Sequence, residues 1–278
     1  MVSKLEILQR FYHISLEKEN DYFVYQNNHY YFCQVNNFTN IYTSYINSIN
    51  LNGFKIVNNC FDRSVSMNYV LYTYQVESYE LYTFIHRSLL PIDKVFEVSK
   101  IKSSWCKVLD EAKTKIGNYA SRISHFEHYV VLSYYYQGLG ESAIGILNQI
   151  KTKKIPLGVE HFCLEDRYES LCCPSNFLIA SRIKDLVTCY KKDFITINQL
   201  EEYINCYSLS NDEIVYLFAR ILFPDEFMRI ALANDCEEPH IKKQLITMYQ
   251  NIDIERNKLH QAYELLKRYA MLPKISWL

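Results

Sequence analysis

The sequence predicts an α+β fold, and three observations predict it. The first eighty residues carry short aromatic and β-branched runs separated by turn residues. Beyond Glu77 apolar residues recur at helical spacing instead. Across all 278 residues, 49% are hydrophobic and 22% charged, which is enough apolar material to bury a core and too much for a disordered chain. The expected division is a β-rich N-lobe over 1–85 and a helical C-lobe over 86–278, with the change of periodicity near residues 77–90.

Each element follows from its local pattern. Asp21–Gln26 and His29–Val35 flank Asn27-Asn28, whose tolerance of positive φ suits a hairpin turn. Phe38, Ile41, Tyr42, Tyr45, Ile46 and Ile49 share one helical face, and Gly53 ends that helix. Phe54–Cys60 and Tyr69–Val76 read as two more strands, the second apolar enough to be central. After Pro91, Val95, Phe96, Ile101, Trp105, Val108 and Leu109 predict a helix, followed by helices near 121–136 and 141–150. An irregular stretch over 151–174 comes next, then helices over 199–207, 212–223 and a last one through Leu259, Tyr263, Leu266 and Ala270.

Thirty basic against thirty-one acidic residues leave no global electrostatic footprint for nucleic acid or an anionic membrane. No apolar run reaches the length of a membrane span and the start has no signal-peptide core, so cytoplasmic synthesis is expected. Nine cysteines without a CxxC spacing predict mostly buried, reduced thiols rather than a zinc site or disulfide framework. The 25 tyrosines have two readings: surplus rings forming a protein-binding face, or codon usage placing Tyr where Phe or Leu would serve.

Three segments in the C-terminal part carry a family resemblance. SYYYQGLGESAIGILNQI (Ser133–Ile150) resembles the "YYxGLAENAI" helix of spore-coat kinase-like proteins of the YutH/CotS type, relatives of aminoglycoside phosphotransferase and choline kinase. PSNFLIASRIKDL (Pro174–Leu186) is similar to their "PxxWxxDHxSRDLAE" segment, and IVYLFARILFPDEFMRI (Ile214–Ile230) to "LxARLLFPxxYF". The resemblance implies a bilobal protein-kinase-like fold: a small antiparallel N-lobe with one helix, then a helical C-lobe. It also implies a spore-coat setting, with other coat proteins as partners.

Phosphoryl transfer needs a phosphate cradle, a lysine on the nucleotide, an acceptor-positioning carboxylate and magnesium ligands. No glycine precedes Gly53, and HYYFCQV, where the third strand's lysine should stand, has none. Against the family's HGDxxxxN motif the nearest string is Leu164-Glu165-Asp166-Arg167, with Leu171 at the asparagine position. Asp166 is the candidate base, and Asn176 is a candidate metal ligand only if an insertion is looped out. The metal aspartate of "DHxSRD" maps onto Ala180 and the second aspartate onto Asp185, which in relatives is a structural carboxylate tying the catalytic loop to the next helix. A rival register makes Asp185 the metal ligand, since it lies nineteen residues after Asp166. The main expectation is a catalytically degenerate kinase-fold protein with no cofactor; the alternative is an ATP- and magnesium-dependent small-molecule phosphotransferase using Asp166, Asn176 and Asp185.

Other candidates have ordinary readings beside the functional ones. His125 and His128 stand at metal-ligand spacing on a helix without a third ligand, or are solvated core-edge residues. His161, Cys163 and Glu165 share a face if their stretch is extended, or lie in an irregular loop as unrelated side chains. Lys151, Lys153 and Lys154 suit a helix C-terminus and need no ligand.

Overall fold

The structure, a computed structural model, describes residues 17–19, 22–25, 28–35, 55–62, 67–73, 81–119, 126–166, 171, 173–233 and 239–275. The expected helix over Phe38–Ile49 lies outside them, as do His125 and Cys172. Five strands form one antiparallel sheet: β1 (Glu17–Glu19), β2 (Tyr22–Tyr25), β3 (Asn28–Val35), β4 (Lys55–Asp62) and β5 (Met67–Thr73), in the order β1-β2-β3-β5-β4. The β2–β3 hairpin is the one its turn residues predict, with Tyr25 opposite Asn28. β5 lies between β3 and β4, and the burial of Val70 and Tyr72 explains its apolar run. β1 is an addition to the expected sheet: its charged residues join through backbone bonds, Glu17 opposite Val24.

The chain continues through α1 (Leu81–Ser88), β6 (Val95–Glu97), α2 (Val98–Tyr119), α3 (Phe126–Leu147) and β7 (Lys154–His161). A 3₁₀ turn (Pro174–Asn176), β8 (Phe177–Ser181) and α4 (Lys184–Lys191) follow. The last helices are α5 (Ile197–Cys206), α6 (Asn211–Leu222), α7 (Asp225–Ala231), α8 (Pro239–Gln250) and α9 (Ile252–Leu266). β6, β7 and β8 form a second sheet with β7 in the middle.

Three expectations are corrected here. Val95 and Phe96 stand in a strand opposite Pro156 and Ile155, so the helix begins at Val98. The helices expected near 121–136 and 141–150 are one helix, α3, running through Gly138 and Gly140. A Cβ on Gly140 would lie 3.1 Å from the Leu109 side chain, so this glycine lets α2 and α3 approach rather than ending a helix. The stretch taken as irregular contains β7, which a lysine cluster and Pro156 disguise.

By internal packing the chain divides into two compact units, 1–92 with 158–185, and 93–157 with 186–278. The expected lobes divide it by secondary-structure type, whereas the units group 158–185 with the β-rich segment. In the second unit α6 is buried almost throughout and packs against α3 and α9. Trp105 stacks on Phe223 with centroids 4.2 Å apart, and the Arg220 guanidinium lies over the indole. Thr196 with Gln199 and Ser210 with Glu213 form capping boxes that start α5 and α6.

Among the described tyrosines Tyr72, Tyr129, Tyr136, Tyr190, Tyr203 and Tyr216 are buried, while Tyr82, Tyr134 and Tyr249 are exposed. Most of these rings are core. The described thiols depart from expectation: Cys189 is buried, Cys106 and Cys173 are half-buried, and Cys163 and Cys206 are exposed. No described helix is long and apolar enough to cross a membrane.

Candidate functional site

The polar centre of the first unit is built at the end of β7. Gly158 sets the strand's path: a Cβ there would lie 2.4 Å from the Ser88 carbonyl oxygen and 2.9 Å from Arg182 Cα, so only glycine permits the approach. Glu160 and His161 follow, both with no solvent exposure. The His161 N–H donates to both oxygens of Asp185, at 3.1 and 3.2 Å, and His161 Nδ1 lies 2.5 Å from Asp185 Oδ2. His161 Nε2 is 3.1 Å from the Leu171 carbonyl oxygen. Both ring nitrogens thus face oxygen atoms, one of the Asp185 carboxylate and the other of the Leu171 carbonyl. Phe84 and Phe177 enclose the imidazole, at centroid distances of 5.9 and 4.6 Å.

Asp185 stands in the first turn of α4, where a carboxylate complements the helix dipole. Its own N–H donates to Glu160 Oε2 at 2.7 Å, and Lys184 Nζ donates to the His161 carbonyl. Burial opposes ionisation of Asp185, but the facing His161 charge and hydrogen bond, with Lys184, outweigh it and hold its pKa below the ordinary value. Glu160 goes the other way: burial first, then the neighbouring Asp185 charge, push its pKa well above the carboxylate range. Its Oε1 has no hydrogen-bond partner among the described residues.

Asn176 closes the loop that leaves β7. Its Oδ1 accepts the Cys163 N–H at 2.8 Å, its Nδ2 donates to the Cys163 carbonyl at 2.7 Å, and its own carbonyl accepts the Phe162 N–H at 2.5 Å. The 3₁₀ turn carrying it packs against β3. Asp166 is exposed on the loop, and Ala180 is half-buried on β8. The structure therefore brings Asp185 to His161 and Glu160, and Asn176 to Cys163. The single face proposed for His161, Cys163 and Glu165 is not formed: His161 is buried on Asp185, while exposed Cys163 has its Sγ 3.8 Å from Glu165 Oε1. His128 lies against the Tyr249 ring at 4.3 Å. Among the described residues no group of three or more His, Cys, Asp or Glu side chains is arranged to hold a metal ion.

Sequence reasoning missed Glu160 and the partnership of His161 with Asp185. The local signal available was a charged and a polar residue ending an apolar stretch, in Gly158-Val159-Glu160-His161.

No protein-family model matches the sequence, and no curated protein matches it. Among solved structures the chain is similar to an aminoglycoside phosphotransferase from Alicyclobacillus acidocaldarius subsp. acidocaldarius DSM 446, with a TM-score of 0.60 at 9% identity, over 91% of this chain and 92% of that one. At that identity the likeness is one of fold, and the fold is the kinase-like α+β architecture of an aminoglycoside phosphotransferase.

Proposed function

We propose that this chain is a kinase-fold protein whose phosphotransfer site is degenerate and which serves as a structural or interaction component. The observation that carries the reading is the buried pairing of Asp185 with His161. Asp185 Oδ2 lies against the imidazole and both oxygens accept the His161 N–H, which fits a carboxylate that ties a loop to a helix. With His161 standing as the histidine of the HGDxxxxN motif, the third residue is Cys163, and a thiol replaces the carboxylate beside the acceptor hydroxyl. Asn176, clamped on the Cys163 backbone, then takes the place of the motif's asparagine after an enlarged loop.

These residues do not fit a magnesium ion. The amide of Asn176 is engaged at both ends, Asp185 is inaccessible, and Ala180 offers a methyl group. The absence of lysine from β3 and of any glycine before Gly53 removes the other two nucleotide contacts. The setting we propose is the spore coat, with coat proteins as partners, and it rests on the three resembling segments.

Calorimetric titration with ATP and magnesium tests the reading, together with a phosphoryl-transfer assay on aminoglycosides and small alcohols. The expected result is no binding heat and no turnover, since loss of even one transition-state contact costs about 10²–10³ in rate. A transfer rate abolished by Asp185→Asn or Asp166→Asn overturns it in favour of an active phosphotransferase.

A further inference from the structure

We propose that this chain pairs with a second copy of itself, face to face along α3 and about a twofold axis, with Tyr134 of each chain seated over Gly138 of the other. The face is apolar where a helix surface is ordinarily polar. Tyr134 and Val131 on α3 are 75% and 47% exposed, Ile254 at the start of α9 is 67% exposed, and Tyr249 at the end of α8 is 37% exposed. They share one surface. The Tyr249 ring lies against His128, one turn before Val131, and Tyr136 Oη donates to Glu255, the neighbour of Ile254. The corner from α8 into α9 therefore runs beside α3 from His128 to Tyr136. The four side chains present about 400 Å², against the roughly 800 Å² per partner of a standard interface. Ion pairs border this centre and extend the contact: Lys113–Glu141 at 2.7 Å and Asp253–Arg256 at 3.0 Å. An apolar centre ringed by charge is the anatomy of a protein interface.

Self-complementarity selects a second copy as the occupant. Tyr134 and Gly138 stand one turn apart on the same face of α3. Tyr134 projects into solvent, and at Gly138 no atom of the described residues lies within 4 Å of where a Cβ would stand. Knob and gap are thus adjacent on one helix. An antiparallel copy, related by a twofold axis passing between them, places each knob over the other's gap. A glycine inside a helix costs stability relative to alanine, and no packing among the described residues accounts for this one. Each border carries a cation beside a carboxylate, so a second copy meets both signs on both sides. All of these residues belong to the unit 93–157 with 186–278, and none belongs to the candidate phosphotransfer site, so the pairing stands whether or not that site is active.

Sedimentation equilibrium of the full chain across the micromolar range tests the pairing. The expected result is a concentration-dependent rise from the 33.1 kDa of one chain to twice that mass. Tyr134→Glu, and separately Gly138→Leu, which fills the gap, each weaken the dimer at least about tenfold while far-UV circular dichroism stays unchanged. Both positions are open in the single chain, so neither substitution displaces a packed neighbour. Met271→Glu, at a side chain 92% exposed beyond the far end of α9, leaves the dimer unchanged. Ile254→Glu replaces either variant that fails to fold. A chain that stays single throughout, a dimer that a folded patch variant leaves intact, or one that Met271→Glu weakens equally overturns the proposal.

Discussion

Both units hold segments together with polar side chains, and they use them differently. In the first, Asp185, Glu160 and Asn176 bond to backbone: Asp185 to the His161 N–H, Glu160 to the Asp185 N–H, and Asn176 to both main-chain groups of Cys163. In the second, side chains join helices. Tyr136 Oη donates to Glu255 Oε2 at 2.6 Å across α3 and α9, and Lys191 Nζ pairs with Asp225 at 3.1 Å. The first arrangement fixes the path of a loop, and the second adds polar bonds to a packed helical core. A substitution in the first therefore releases backbone as well as a contact, whereas one in the second removes a single bond over packing that persists.

Asp185→Ala is the most severe test of that difference. It strands the His161 ring and N–H in a site without solvent, and breaking such a buried pair costs about 3–5 kcal/mol, read as a lower midpoint in urea denaturation. An unchanged midpoint refutes the anchoring role. Gly158→Ala comes next, because backbone stands on two sides of the added methyl group; a loss of about 1–3 kcal/mol is expected from overpacking. Tyr136→Phe keeps the ring stacked on Phe227 at 4.7 Å and removes only the donor to Glu255, for a loss of about 1–2 kcal/mol. Should Tyr136→Phe cost as much as Asp185→Ala, the distinction between the two clusters collapses.

How far the sequence exposes these features follows the range of the interactions. The hairpin over β2 and β3, the central β5, and α5, α6 and α9 rest on local turn residues, periodicity and capping boxes, all legible within a dozen residues. β7 escaped because its burial of Glu160 and His161 is compensated by Asp185, 24 residues away, and no local pattern announces that partner. The merged helix α3 escaped because Gly138 and Gly140 read as breakers, when Gly140 answers to Leu109 on another helix. At the candidate site, residue types were legible, including Ala180, Asp185 and Asn176. The pairing of Asn176 with the Cys163 backbone was not, since it spans 13 residues and no local pattern announces it.

The smallest expected effect separates the two carboxylates of the first cluster by their response to pH. Glu160 has a folded pKa raised above its unfolded value near 4.5, by burial and then by Asp185. Below that value both states hold the proton; above it the unfolded chain releases the proton and the fold does not, so stability falls as pH rises until the raised pKa is passed. Asp185, with a lowered pKa, acts in the opposite sense: its contribution is present above 3.8 and is lost as pH falls below it. Measurements above about pH 5 therefore isolate Glu160. Glu160→Gln keeps an oxygen for the Asp185 N–H, supplies an amide donor beside the Asp185 carboxylate, and does not titrate. Its thermal midpoint should exceed that of the wild type by a margin that widens as pH rises from about 5 toward 8. Parallel profiles for the two proteins across that range would mean that Glu160 is ionised in the fold, and the cluster would then resemble the charged Lys191–Asp225 pair of the second unit.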